Sequence, residues 1–409
     1  VLVPMSDDPS ALSAGLTAVS SATNNWRRPA PLGFDSSLAI AMTVPEAIAA
    51  LTAERRFRRL VDAFCGPRAS AVLHSADHAL TEQEFQATLG RQLLEEILNK
   101  TTTRVESRVE DALRERPACL YISNHRDIVL DTALLNRVLI SHDKPIPHAA
   151  IGDNLLQTDW LVAFFKLCRA LIIRRDVSGR QLYEQSRSVS KFVRDSIQRG
   201  EPVWLAQRPG RTKDGADKTE PGLLRMLLLD YENAPIGRHE SLNVTPVAVS
   251  YEFEPCDAFK AASLIGARTK NDSESRARRD VAQVMRGLVQ QKGRVCITVR
   301  PPIRVDNAEG RARGANRADL LAELAKRVDQ EITKGYAIWP TNYVAHDRLS
   351  VDTRYAEHYT DEERDAFDEY VCRRAEEIRA EPGEARTALL SLYARPLATQ
   401  ALLSQSCSS

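Results

Sequence analysis

No apolar run in this chain approaches the roughly 18–20 residues that a membrane-spanning helix needs, and no two cysteines stand in a Cys-x-x-Cys spacing. The seven cysteines are scattered and odd in number. That argues against both a disulfide framework and a zinc ribbon, and for reduced, mostly buried thiols in a cytosolic setting. Net charge is missing too, with 56 Lys plus Arg against 55 Asp plus Glu. No overall field draws the chain to nucleic acid or membrane, so any such attraction rests on local patches. The opening VLVPMSDD has neither the basic nor the apolar region of a secretory signal. These absences lead us to expect a soluble or peripherally attached intracellular protein, with Met5 as the native start and no nucleic-acid partner.

What is present is an ordinary globular composition, 43% hydrophobic and 27% charged over 409 residues, enough for two or three domains or one large one. Residues 1–43 begin rich in Ser, Ala, Pro and Asn with weak periodicity and read as a loosely ordered arm. Residues 44–116 read as a helical cap. There Thr81-Glu-Gln-Glu resembles an N-cap with an acidic first turn, followed by Phe85, Leu89, Leu93 and Ile97 at helical spacing. From 117 to 305 short apolar runs alternate with amphipathic segments. Strands are expected at 118–123, 148–152, 170–174, 202–206, 244–251 and 294–300, and helices near 128–140, 154–168, 179–199, 219–230 and 274–291. The pattern predicts an α/β domain with a mixed, mostly parallel sheet flanked by helices. Residues 255–273 and 305–316 read as polar connectors, and 306–409 as a mainly helical C-terminal extension. No internal repeat is present.

Four segments carry candidate chemistry. The first is YISNHRDIVLD, 121–131. His125 follows a buried-looking strand, at the end where ligand sites of open α/β sheets gather. Asp131 interrupts an apolar helix stripe and needs a partner there, because an unpaired buried charge is costly. An imidazole oriented by a carboxylate is a usable general base near neutral pH. The plainer reading makes Asp127 a helix cap and His125 a loop residue. Metal binding by His125, Asp127 and Asp131 is a third, weakened by the lack of a second histidine at suitable spacing. In the second segment, ALIIRRDVSGR, an apolar strand ends in Arg174 and Arg175, and adjacent strand residues face opposite ways. The third, WLAQRPGRTKDGADKTEP, sets Arg208, Gly210, Arg211 and Lys213 in a turn suited to a phosphate or other oxyanion. Its alternative is a solvated loop partly neutralised by Asp214 and Asp217. The fourth is VTPVAVSYEF, where Pro246 points to an edge strand or a bulge.

In this order the four segments resemble the four blocks of the glycerolipid acyltransferase superfamily, the lysophosphatidic acid and glycerol-3-phosphate acyltransferase type, over about residues 118–252. SNHRDIVLD, IGDNLL, AQRPGRTKDG and WPTNY further resemble a bacterial branch labelled simply glycerol acyltransferase. The resemblance implies that His125 takes a proton from an acceptor hydroxyl as it attacks a thioester, and that Asp131 orients His125. It also implies that Arg174 or Arg175, with Arg211 and Lys213, holds the acceptor phosphate. Acyl-CoA or an acyl-carrier protein would be the donor, a polar or phosphorylated lipid the acceptor, with no cofactor or metal. Peripheral contact with the inner face of the cell membrane would suit such substrates, and WLVAFFKLCRALIIRR, 160–175, is either an interfacial surface or a core helix leading into a strand.

Two departures from the family pattern stand out. Its first block usually has four residues between His and Asp; here five precede Asp131, while Asp127 follows one. One extra helical residue turns a side chain by about 100°, which leaves Asp127 and Asp131 as rival partners of His125. The third block usually has Glu before its Gly, a place held here by Pro209. Proline removes a carboxylate and a backbone donor together. The alternatives this raises are a catalytically impaired acyl- or lipid-binding relative, and a His-Asp thioesterase or lipid hydrolase.

Overall fold

A computed structural model describes residues 38–109, 118–229, 243–269, 276–303 and 317–406. Most of the expected arm, residues 1–37, and the whole of the 305–316 connector lie outside the described residues. The strands are β1 Thr102–Val109, β2 Leu120–Ser123, β3 His148–Gly152, β4 Ala170–Ile173, β5 Val203–Ala206, β6 Val244–Tyr251 and β7 Gly293–Val299. The chain divides into two compact units.

One unit comprises Val1–Thr101, Ile151–Arg175 and Ser275–Gln291. Its helices start where the sequence supplies caps. Thr43 and Thr81 each accept from the third backbone N–H of the following helix while Glu46 and Glu84 reach back, closing capping boxes. The helix Asp159–Leu167 buries Leu161, Val162 and Phe165 against Ile40, Leu156, Ala170 and Ile172. Residues 160–175 therefore comprise a core helix and strand β4, with Arg174 and Arg175 exposed after it. Among the described residues no helix is long and apolar enough to cross a membrane.

The other unit comprises Thr102–Ala150, Asp176–Glu274 and Lys292–Ser409. Its strands run in the order β1-β7-β6-β2-β5-β3. β2 lies between β5 and β6, parallel to both, β3 is parallel to β5 and β1 to β7, while β6 and β7 are antiparallel. The mixed, mostly parallel sheet is thus as the alternation of patterns predicts. All four residues of β2, LYIS, are buried, as befits a strand with neighbours on both sides and covered faces. Helices Arg317–Lys334, Pro340–Ser350, Asp361–Ala375 and Pro382–Ser406 complete this unit.

Several expectations need correction. Residues 102–109 form β1 rather than the end of a helical cap. As an outer strand with its residues half-buried or exposed, β1 carries no apolar alternation to betray it. Pro246 sits in β6, which is internal. Its carbonyl accepts from Arg300 N at 2.9 Å, just past the end of β7, so the donor that proline lacks would have faced the point where the ladder stops. Within the expected connector 255–273 lies the helix Asp257–Leu264, which buries Ala258, Ala261 and Ala262 together with Asp257 and Lys260; alanines and charged residues give little apolar signal. Residues 151–175 and 275–291 cluster with the N-terminal helices.

Candidate active site

The site is built where β2 ends. Asn124, fully buried, extends the ladder with its side chain: Nδ2 donates to Val249 O at 3.0 Å and Oδ1 accepts from Val249 N at 2.8 Å. This pins the chain to β6 one residue before His125. A tight turn then brings Asp131, in the first turn of the helix Leu130–Ser141, back over the strand end. Asp131 Oδ2 lies 2.9 Å from His125 Nδ1 and accepts from Arg126 N at 2.6 Å and Asp127 N at 2.9 Å. Its Oδ1 accepts from the Tyr251 hydroxyl at 2.9 Å. An ionised carboxylate can only accept, so Nδ1 carries the proton and Nε2 is left with the lone pair a base needs. Asp131 keeps 1% of its side chain exposed and His125 14%. The carboxylate is sealed while the imidazole is reachable.

Asp127 does the other job. Its Oδ1 accepts from Val129 N at 2.9 Å and Leu130 N at 2.8 Å, satisfying two orphan donors at the helix start. The rivalry between the two acids is thereby decided on geometry: Asp131 orients the histidine, and Asp127 shapes the turn. Trp204 of β5 packs edge-on to His125 with ring centroids 5.7 Å apart, and its Nε1 donates to Ser123 Oγ at 2.9 Å.

Beneath the turn lies a buried ionic network that the sequence did not disclose. Arg126, 3% exposed, donates to Asp217 Oδ2 at 2.5 Å. Lys260 Nζ donates to both Arg126 O and Glu254 Oε1 at 2.6 Å, and the Tyr336 hydroxyl donates to Asp217 at 2.6 Å. Burial works to lower the Arg126 pKa, but the charges of Asp217 and Glu254 outweigh it and keep the guanidinium protonated. Two cations and two carboxylates balance, the condition under which charges are tolerated in an interior.

This network also fixes the loop after β5. Thr212 N donates to His125 O at 2.9 Å, and its hydroxyl donates to Asp217 Oδ1 at 2.5 Å. Asp217, read from sequence as a neutralising surface acid, is instead the buried anchor of the loop. Of the four basic-loop residues, Gly210 has φ of 77°, which permits the turn after Pro209. Lys213 is exposed, with Nζ donating to Ser263 Oγ at 2.8 Å. Arg208 donates to Ala216 O at 3.5 Å. Arg211 is only half-exposed, and its charge acts on the buried Cys256 thiol, which burial raises. The structure thus joins the Asn-His turn and the Gly-plus-basic loop. Arg174 and Arg175 follow β4 in the other unit, both exposed, with Arg175 N donating to Asp153 Oδ1 at 3.3 Å.

Comparison with known proteins completes the picture. Residues 104–236, which span this turn and loop, match the family model described as Acyltransferase. Over these residues the chain is similar to the acyltransferases. Dihydroxyacetone phosphate acyltransferase of Mus musculus is 24% identical over 213 residues, which cover 50% of this chain and 30% of that protein. The crystal structure of the 1-acyl-sn-glycerophosphate (LPA) acyltransferase PlsC from Thermotoga maritima gives a TM-score of 0.34 at 10% identity, covering 70% of this chain and 97% of that one. A score so low adds nothing to the argument.

A metal ion on the first block would compete with donors already in place. Asp131 spends both oxygens on four hydrogen-bond donors and Asp127 caps a helix. Among the described residues the cluster with ligand-like spacing is His346, Asp347 and Asp352, and there Asp347 already accepts from Tyr355 N and the Tyr359 hydroxyl. The WPTNY segment is structural. Asn342 Oδ1 accepts from Trp339 N at 2.7 Å, and its Nδ2 donates to Tyr393 O at 2.9 Å.

Tyr251 and Asp217 are the residues the sequence reading missed. Tyr251 is the last residue of β6, seven positions from Val244, yet nothing in its spacing signals a contact 120 residues back.

Proposed function

We propose that this protein transfers a fatty acyl group from an acyl-CoA or acyl-carrier-protein thioester to a hydroxyl of a polar, commonly phosphorylated, glycerolipid acceptor. The observation that carries this reading is the His125–Asp131 pair at 2.9 Å, inside a domain that matches the acyltransferase family. His125 Nε2 takes the hydroxyl proton as the oxygen attacks the thioester carbonyl. The tetrahedral intermediate then expels the thiolate, which is protonated from the imidazolium. A thioester has a good leaving group, so positioning and base catalysis suffice, without cofactor, metal or covalent enzyme intermediate.

Lys213 and Arg208, on the loop tied to His125 through Thr212, are the cations we assign to the acceptor phosphate, together with Arg211. Pro209, where the family usually has Glu, shapes this loop but contributes no carboxylate. Arg174 and Arg175 remain candidates for an acidic group on either substrate. We place the reaction in the cytoplasm, with peripheral contact to a membrane surface as the source of the acceptor.

The test is a matrix of acyl-CoA and acyl-carrier-protein donors against acceptors with and without a phosphate, with products identified by mass spectrometry. Acylated acceptor, formed faster when the phosphate is present, is the expected result. Free fatty acid independent of any acceptor would identify a hydrolase instead. Donor binding without turnover across the matrix would identify an impaired relative.

A further inference from the structure

We infer that Tyr251 is a positioning residue for the proposed base, acting through Asp131: its hydroxyl, 2.9 Å from Asp131 Oδ1, fixes the carboxylate that in turn fixes His125. This rests on the assignment of His125 as base, and its test separates the two.

Three of the donors to Asp131 converge on one oxygen. His125 Nδ1, Arg126 N and Asp127 N all meet Oδ2, which leaves Oδ1, in a residue only 1% exposed, dependent on Tyr251. A buried carboxylate oxygen with no donor would be costly, and the carboxylate would find relief by turning about its Cβ–Cγ bond, away from the imidazole. Tyr251 prevents that turn from a rigid place, as the last residue of β6, the strand paired with β2.

The phenol is suited to the task because it can only donate in this setting. Burial, and after it the negative charges of Asp131, Asp127 and Glu254, push its pKa well above that of an ordinary tyrosine. Those three acids are the charged groups that act on the hydroxyl from the helix start, the turn and the segment after β6. Glu254 is held by Lys260 and Arg126, and Asp127 faces the helix donors through Oδ1. Asp131 is the acceptor that the hydroxyl serves. Donation draws charge off Asp131, so the carboxylate orients the imidazole without holding its proton too firmly.

The readout is the titration of the His125 ring, followed by NMR and assigned by its loss in His125→Ala, together with steady-state kinetics. In Tyr251→Phe the Asp131 carboxylate turns from the imidazole and stabilises the imidazolium less. The His125 midpoint therefore moves to lower pH, kcat falls about tenfold, the worth of one hydrogen bond, and both KM values hold. If the phenylalanine variant does not fold, 3-fluorotyrosine at position 251 alone gives a more acidic phenol and a stronger donor, and the midpoint moves to lower pH. A His125 titration unchanged by either replacement overturns the inference about Tyr251. Full turnover in His125→Ala overturns instead the reading of His125 on which it rests.

Discussion

His125 Nδ1 meets Asp131 Oδ2 at 2.9 Å although five residues intervene. The extra residue relative to the usual block does not rotate the acid out of reach, because the turn tightens around it: the same oxygen accepts from Arg126 N and Asp127 N. The carboxylate thus organises the backbone that would otherwise have misdirected it.

The two aspartates should separate cleanly on substitution. Asp131→Asn is expected to lower kcat by about a thousandfold, in the range for losing the partner of a general base. Asp127→Ala removes a helix cap and should cost about 1 kcal/mol in stability, with kcat changed only a few-fold. Urea denaturation and steady-state rates on the same preparations distinguish the two roles.

Asp217 is expected to matter more to stability than any exposed acid of its loop. Asp217→Ala strands the Arg126 guanidinium in the interior and releases Thr212 and Tyr336, a loss of about 3–5 kcal/mol by the usual cost of breaking a buried pair. The double variant Arg126→Met, Asp217→Leu should recover part of that loss, since no charge is then left alone. Chemical denaturation measures both.

Lys292 makes stability depend on alkaline pH. Burial pushes its ammonium from 10.5 down to about 8, against the opposing pull of Asp127 and Cys256. Between about 8 and 10.5 the unfolded chain binds more protons at this residue than the folded one, so this group's penalty is full below about 8 and relieved as pH climbs. Its effect is about 3 kcal/mol at most. Lys292→Met should therefore lack this component of the alkaline rise, and the difference in unfolding free energy between variant and wild type should change steadily from pH 8 to pH 10.5.

What the sequence disclosed and what it withheld follow one physical rule. His125, Asp131 and the capping role open to Asp127 were legible because their partners lie within six positions and helix geometry relates them. The Arg126–Asp217 and Tyr251–Asp131 contacts span 91 and 120 positions, and no local pattern encodes a contact closed only by the sheet. Among the elements, strands with covered faces such as β2 were plain. The outer strand β1 and the alanine-faced helix Asp257–Leu264 were not, since neither carries a strong apolar period. Pro246 misled because its missing donor matters only on one side of the strand, at a place where the β7 ladder has already ended.

The central claim is that His125 is the base of acyl transfer. Its most direct test is single-turnover acyl transfer by wild type and His125→Ala at saturating thioester and acceptor, with donor binding measured in parallel. The account predicts unchanged donor binding and a transfer rate lowered by at least about a thousandfold. A His125→Ala protein that binds donor and transfers at the wild-type rate would contradict it.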